Sequence, residues 1–283
     1  MRIIRREFYN CTRKSKFRII PLGDIHMGAR ACDERALRAV IKEIRDDPFC
    51  YWIGMGDYCD FINRQDPRFS AGLADWIEMS DLTDLAKCQV EKFNRTVEPI
   101  AGKCLGLIEG NHETAIKKHS ERDVFSSIVT GVKNAAGMKA RDKLGLGYSG
   151  WLKLVFYRSK KREKASTVLF YLHHGFVGGR LAGAKALNMQ RVLWTNDCDI
   201  ALMGHSHNED IFTATVHGID NGDNFVIRKK YGGFTGTFLR SVITGETTYS
   251  EVKGYFPQAT GQIEIRLKPH AAHGVDRIKM MIR

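Results

Sequence analysis

The stretch FRIIPLGDIH, residues 17–26, decides the fold, because an apolar run ends there in glycine and then offers two residues that bind metals. The apolar run predicts a buried strand, and Gly23 lets the backbone turn sharply where that strand ends. Asp24 and His26 are two positions apart, so their side chains point the same way and can bind at one site. A buried strand therefore delivers polar side chains at its C-terminal end.

Strands and helices alternate through the first half of the chain, and strands dominate the second half. The predicted strands are 17–22, 51–53, 103–108, 151–157, 167–172 and 199–203. The predicted helices are 33–45, 83–97, a helix from His112 to about Val132, and 185–194. A hairpin turn is predicted at 221–223. This order predicts an α/β fold with two sheets packed face to face, helices outside, and a site at the strand C-terminal ends.

The length and composition are those of one domain, residues 1–283. Within it we distinguish a motif-bearing core at 17–210, a strand-rich part at 211–267 and a basic tail at 268–283. Apolar residues make up 43% of the chain, and no apolar run reaches membrane-spanning length. Without a signal-peptide pattern, we expect a cytoplasmic protein with no membrane partner, whose seven cysteines are reduced.

The formal net charge of +12 favours an anionic partner, with nucleic acid the first choice. Part of the excess is clustered, at 13–18, 158–164 and 228–230. The alternative for each cluster is a solvated basic surface, and the middle cluster also fits the tip of a hairpin.

Five short motifs that contain His, Asp or Asn lie beside glycine at the ends of apolar strands. A single histidine in such a place is about as often a structural residue as a ligand, but five such strand ends together favour a metal site. Carboxylate, amide and imidazole groups suit first-row divalent ions better than calcium, and seven ligands are too many for one ion. The strand ends offer Asp24, His26, Asp57, Asn111, His112, His174, His205 and His207, and the seven predicted ligands are these residues without His112.

The order D-x-H, GD, GNHE, HG, GHxH resembles the motifs of the calcineurin-like metallophosphoesterase superfamily over residues 23–207. The resemblance implies a four-layer α/β/β/α sandwich of two mixed β-sheets flanked by helices, with a dinuclear metal site at the strand C-terminal ends. The two divalent ions would be manganese, with iron, zinc or nickel as alternatives. The implied ligands are Asp24, His26, Asp57 and His207 for one ion and Asp57, Asn111, His174 and His205 for the other, with Asp57 bridging. His173 stays an alternative to His174.

His112 has a different implied role, since the corresponding histidine of the family reaches the substrate phosphate and protonates the leaving oxygen. The segment GDYCD, residues 56–60, resembles the phosphoprotein phosphatases, in which the second aspartate orients that histidine. We therefore predict a catalytic pair in which Asp60 raises the pKa of His112 so that the imidazole acts as an acid. The implied reaction is in-line attack by a water that two metal ions activate.

The substrate is less well determined. Phosphoprotein phosphatases carry Arg-Gly after the second aspartate, where this chain has Phe61-Ile62. A dianionic monoester needs more positive charge than a diester, so the missing arginine counts against a phosphomonoesterase. Substitutes for it are Arg64, His119 and Arg122, and the alternative for each is an exposed basic residue.

With the net charge, these features predict an enzyme, a metallophosphoesterase that hydrolyses phosphodiester bonds in nucleic acid. A phosphomonoesterase acting on proteins or small molecules and a cyclic-nucleotide phosphodiesterase are the alternatives. A non-catalytic metal-binding scaffold would predict missing ligands, and none of the expected ligands is missing.

Overall fold

Strands of one continuous mixed sheet form the frame of the protein. The structure is a computed structural model, and it describes residues 1–62, 73–176, 181–219, 222–245, 247–248, 251, 254, 256–272 and 275–283. The strands are β1 Arg2–Phe8, β2 Phe17–Leu22, β3 Cys50–Gly54, β4 Cys104–Leu107, β5 Ser149–Phe156, β6 Ser166–His173, β7 Ile200–Met203, β8 Glu209–Ile219, β9 Phe225–Thr237, β10 Gly261–Leu267 and β11 Ile278–Ile282. The helices are α1 Glu34–Asp46, α2 Leu85–Val97, α3 Asn111–Ser120, α4 Val124–Ala135 and α5 Ala182–Thr195.

The strand order is β1-β5-β6-β7-β9-β10-β2-β3-β4, with β8 also paired to β9 and β11 to β10. The sheet is mixed, because it contains parallel pairs such as β2–β3 and β6–β7 and antiparallel pairs such as β5–β6. The two halves meet between β9 and β10, where Gly261 pairs with Thr237 and Gln262 with Gly236. The predicted α/β fold is confirmed, and the two halves of the sheet are joined at this short seam.

Three layers of buried side chains lie between four layers of secondary structure. Neighbouring residues of β2 serve different layers, because successive side chains of a strand point to opposite faces. Ile19 packs in the layer between the two halves of the sheet, whereas Ile20 packs in the layer beneath α1, α2 and α4. On the other half, α5 covers the sheet through Met189 and Leu193. The layers therefore follow the order helix, sheet, sheet, helix.

Two local differences from the sequence prediction have clear causes. The predicted helix from His112 to about Val132 is wrong as one element, because Glu121 has a left-handed backbone (φ 53°) and ends α3. The side chain of Asp123 then accepts the N–H of Ser126 at 2.9 Å and begins α4. The edge strand β1 was not predicted, since Ile4 is its one buried residue.

Strand register brings the polar motifs together. Leu22 pairs with Gly54 in the parallel β2–β3 ladder, so the segments that follow these strands leave the sheet side by side. His173 pairs with Met203 in the parallel β6–β7 ladder, so the segments that follow β6 and β7 also leave the sheet side by side.

All seven cysteines are free, as predicted. Within the described ranges, no helix combines the length and the hydrophobicity that crossing a membrane requires.

Candidate metal centre

The predicted ligands meet in two sets at the strand ends. In each set the candidate ligand atoms of the histidines and carboxylates lie within 4.8 Å of one another. The amide oxygen of Asn111 joins the second set through its contacts with two histidines. The first set is Asp24, His26 and His207, and the second is Asp57, Asn111, His174 and His205. This is the grouping implied for the two ions, while the bridging role of Asp57 stays a prediction.

The first set has spacings that suit ligands of a single ion. His26 Nε2 lies 3.2 Å from His207 Nε2, and His207 Nε2 lies 3.4 Å from Asp24 Oδ1. Nitrogen and oxygen ligands bind ions such as zinc at about 2.0–2.2 Å, which separates neighbouring ligand atoms by roughly 3 Å. These three side chains therefore fit a first-row divalent ion.

The second set converges on the amide oxygen of Asn111. This oxygen lies 2.9 Å from His174 Nε2 and 2.7 Å from His205 Nδ1. Asp57 Oδ2 completes the arrangement, 3.2 Å from His174 Nε2. An amide oxygen, a carboxylate and two imidazoles form the kind of mixed set that divalent manganese, iron and zinc accept.

A hydrogen bond to the backbone determines which nitrogen of His174 faces the centre. His174 Nδ1 lies 2.7 Å from the carbonyl oxygen of Met55, which can only accept, so Nδ1 carries the proton. Nε2 is then the atom that binds a metal, in the arrangement common to metal-bound histidines. His173 lies outside both sets: its Nδ1 accepts the N–H of Gly175 at 2.8 Å, and its ring packs against Phe176. The geometry thus favours His174 over His173.

The centre concentrates buried negative charge. Asp24 and Asp57 are almost fully buried, and their ion-pair partners among the described residues are histidines. Burial disfavours the charged form of His174, but the carboxylate of Asp57 outweighs it and raises the pKa of His174 to about 10. The same charge attraction holds the pKa of Asp57 well below its usual range despite burial. A buried position that favours positive charge so strongly fits a divalent cation.

The backbone carries unusual conformations at the ligands. Left-handed φ angles of 47–66° occur at Asp24, His26, Asp57, His205 and His207. Such a backbone costs a residue with a side chain about 1–2 kcal/mol and tends to occur at functional sites. Backbone hydrogen bonds between the motif segments hold it in place, for example from His26 N to the carbonyl oxygen of Asp57 at 3.1 Å.

Two glycines permit the close approach of these segments. A Cβ atom on Gly56 would lie 2.6 Å from His174 Nδ1, and one on Gly110 would lie 2.1 Å from Asp57 Oδ1. Neither neighbour can move away without displacing a predicted ligand. Glycine at these two positions is therefore a steric requirement of the centre.

Glu113 is a functional residue that the sequence reasoning missed. Its fully buried carboxylate accepts the N–H groups of Asp57 at 2.9 Å, Gly110 at 2.8 Å and Tyr58 at 2.9 Å. These bonds join the segment that carries Asp57 to the one that carries Asn111. The signal that could have found it is an acidic residue in the first turn of a helix, where it returns to the N-cap backbone.

The predicted pairing of Asp60 with His112 takes a different form in the structure. His112 Nδ1 is hydrogen-bonded to the backbone carbonyl oxygen of Asp60, while the Asp60 carboxylate lies 4.0 Å from that nitrogen. The same carboxylate oxygen is nearer to His26 Nδ1, at 3.5 Å. The cause is the backbone path: Asp60 N donates to the carbonyl oxygen of Met27, so this segment runs beside His26. The carbonyl therefore orients His112, and the carboxylate oxygen lies closer to His26 than to His112.

Asp60→Asn tests this reassignment. A carboxylate behind a metal-bound histidine typically contributes about 10- to 100-fold to metal affinity. We expect the variant to need that much more manganese for half-maximal activity, with turnover largely retained at saturating manganese, because the backbone carbonyl still orients His112. Metal titration of activity and direct metal binding provide the measurement. A turnover defect that saturating metal does not restore would instead support action of the carboxylate through His112.

The predicted substrate-binding residues have different surroundings. Arg64 lies outside the described residues. Arg122 pairs with Asp84 at the N-terminus of α2. His119 lines a cavity of about 390 Å³ that borders Asn111. Of the two described candidates, the structure therefore brings His119 to the edge of the centre, whereas Arg122 is held by a carboxylate.

Comparison with known proteins identifies the family of the chain. Residues 17–209 match the family model described as calcineurin-like phosphoesterase, a range that contains all seven predicted ligands. No curated protein matches the sequence.

Three solved structures resemble the chain at low similarity. A Vps29 mutant from Entamoeba histolytica matches with 12% identity and a TM-score of 0.36, over 94% of this chain and 98% of that one. The NAD nucleotidase of Haemophilus influenzae matches with 8% identity and a TM-score of 0.40, over 94% of this chain and 49% of that one. A metallophosphoesterase from Sphaerobacter thermophilus matches with 9% identity and a TM-score of 0.40, over 94% and 88%. These likenesses are too weak to indicate a substrate.

Proposed function

We infer the function from one premise: this chain belongs to the calcineurin-like phosphoesterase family. Members of that family are hydrolases that act on phosphoester bonds, and the family typically binds divalent metals. We propose that this chain hydrolyses phosphodiester bonds in nucleic acid. The observation that carries the proposal is the meeting of two metal-binding sets at one edge of the sheet.

The seven predicted ligands would hold two divalent ions, which we propose to be manganese. Asp24, His26 and His207 would hold one ion and Asp57, Asn111, His174 and His205 the other, and in this proposal Asp57 would also serve the first ion. Such a pair of ions supplies an activated water and neutralises charge on the phosphoryl oxygens. The chain contributes the fixed positions of the ligands, through the strained segments and the carboxylate of Glu113.

His112 is the group that we propose donates a proton to the leaving oxygen. The carbonyl oxygen of Asp60 can only accept, so His112 Nδ1 keeps its proton there. Nε2 is then the atom that exchanges a proton with substrate. The ring is buried and meets His26 edge to face at 4.6 Å, which places it at the border of the first set.

The residue after Asp60 supports a diester substrate. The phosphoprotein phosphatases have an arginine at that position, and this chain has Phe61. Phe61 is only 5% exposed and packs in the core beneath the helices, with its N–H donated to Gln89 Oε1 at 2.9 Å. This position therefore offers no charge to the second negative oxygen of a monoester.

Two of the three basic clusters differ in their surroundings. The cluster at 158–164 forms the turn between β5 and β6, and its lysines are exposed. In the cluster at 228–230, Lys230 is buried and donates to the carbonyl oxygen of Asn196 at the end of α5. That lysine is structural, whereas the lysines at 158–164 are exposed at the end of β6 that lies opposite to His173 and the centre. Free cysteines fit the cytoplasmic location that belongs to the same proposal.

Substrate preference is the most direct test of this function. With manganese, we expect kcat/KM for bis(p-nitrophenyl) phosphate to exceed that for p-nitrophenyl phosphate by about tenfold or more, roughly 1.4 kcal/mol in transition-state binding. The reason is that this chain has no positive charge for the second negative oxygen of the monoester at the position where the phosphatases have arginine. A chelator should abolish turnover and manganese should restore it. Preference for the monoester would overturn the diester assignment, and chelator-resistant turnover would overturn the metal requirement.

A further inference from the structure

A groove extends from the metal centre along one face of α3. It encloses about 390 Å³, and one of its walls belongs to the second metal-binding set. The proposed hydrolysis of a phosphodiester takes place at the metal centre and does not require the residues of the other walls. The residues that line the groove are Asn111, Thr114, Ala115, Lys118, His119 and Tyr148.

Helix geometry places an ammonium group at the far end of this groove. Asn111, Thr114 and Lys118 are spaced by three and then four residues, so they lie on the same face of α3. Seven residues of helix advance by about 10 Å. A phosphate bound at Asn111 would therefore have a lysine at roughly that distance along the groove.

Lys118 differs from its neighbour on α3 in its surroundings. Lys117 Nζ lies 2.8 Å from Asp123 Oδ2 and is paired with it. Lys118 is exposed, and among the described residues it has no ion-pair partner. Its charge is available to an anion in the groove, while the charge of Lys117 is already neutralised.

An aromatic ring forms the opposite wall. Tyr148 is half-buried, and its ring meets His174 edge to face at 5.5 Å and His173 at the same distance. The backbone of Tyr148 is fixed as well, because its carbonyl oxygen accepts the N–H of His174 at 3.1 Å. A rigid aromatic side chain of this kind suits contact with an unpaired nucleobase.

We propose that this groove binds the nucleotides that flank the scissile phosphate of a single-stranded nucleic acid. Lys118, with His119 beside it, contacts a neighbouring phosphate, and Tyr148 contacts a base. A strand advances by about 3.4 Å per phosphate in a duplex, so about three nucleotides or fewer span the groove. The proposal rests on the proposed phosphodiesterase function and adds that the substrate is a strand rather than a mononucleotide ester.

The test compares Lys118→Ala with Lys117→Ala in the manganese-loaded full chain. The substrates are a thymidine oligonucleotide, a thymidine dinucleotide and bis(p-nitrophenyl) phosphate. For Lys118→Ala we expect kcat/KM to fall about tenfold on the oligonucleotide and far less on the two short diesters. The salt dependence on the oligonucleotide should become shallower by about one in the log–log slope. Lys117→Ala should match the wild type on all three substrates.

Three results would overturn the groove assignment while leaving the phosphodiesterase function intact. They are equal losses on long and short substrates, equal behaviour of the two lysine variants, and a wild-type rate that does not rise from dinucleotide to oligonucleotide. Failure of the wild type to hydrolyse any of the three substrates would overturn the function itself. Both lysines are exposed, so circular dichroism should show both variants folded.

Discussion

Replacing Asp57 by asparagine is expected to lower phosphodiester turnover by at least about a thousandfold and to reduce the bound metal from two ions to one or none. Asp57 is 1% exposed, and its Oδ2 lies 3.2 Å from His174 Nε2 in the second set. Its Oδ1 accepts the N–H of His112 at 2.9 Å. Asparagine keeps one oxygen for this bond but removes the negative charge. The fold should therefore survive while the centre loses its affinity for cations.

The measurement for Asp57→Asn combines metal analysis with turnover of a phosphodiester at saturating manganese. Asp197→Asn is the matched control, because the Asp197 side chain is 83% exposed and its ion pair with Lys230 spans 3.6 Å. This control should keep both the activity and the metal content. Undiminished activity in Asp57→Asn would show that the second set is not the metal centre.

Replacing Glu113 by alanine is expected to destabilise the protein by about 3–5 kcal/mol and to lower turnover by about a hundredfold or more. The carboxylate accepts three buried N–H groups, and each such group left without a partner costs about 1–3 kcal/mol. Two of these groups belong to Asp57 and Gly110, so the loss also releases the segments that carry predicted ligands. A displacement of about 1 Å at a reacting centre can cost a hundredfold in rate.

Denaturant unfolding and turnover of the folded fraction give the two measurements for Glu113→Ala. Glu91→Ala is its control, since Glu91 lies on the exposed face of α2 and pairs only with neighbouring basic residues of that helix among the described ones. We expect this change to stay within about 0.5 kcal/mol of the wild type. If Glu113→Ala were as stable and as active as the control, the three hydrogen bonds would not be what positions the ligand segments.

Some features of the centre follow directly from the order of residues. The apolar run that ends at Gly23 and Asp24 predicts both a strand and an oxygen ligand at its end. Asp33 indicates the start of α1, because its side chain accepts the N–H of Ala36. Both are local properties, since strand alternation and helix capping involve residues a few positions apart. The same reasoning located the other motifs at the ends of their strands.

Other features depend on register and helical phase, which the sequence does not state. The sequence alone does not distinguish His173 from His174, and only the pairing of β6 places His174 in the centre. Lys117 and Lys118 are likewise equivalent until the phase of α3 turns one toward Asp123 and the other into the groove. Asp60 matched a family pattern in which its side chain orients a histidine, yet the backbone path gives that contact to its carbonyl oxygen.

The sequence by itself predicted the α/β fold and the candidate ligands at strand ends, because a repeated local pattern of apolar strand, glycine and polar residue needs no distant information. The phosphoesterase activity was indicated by the resemblance of these motifs to the family. Tertiary structure alone decided how those ligands divide into two sets and that Glu113 ties their segments together. It also decided the left-handed backbone at Asp24 and Asp57. The physical reason is that these properties arise from contacts between residues far apart in the chain. In such contacts, a difference of a few ångströms decides whether a side chain can bind a metal ion.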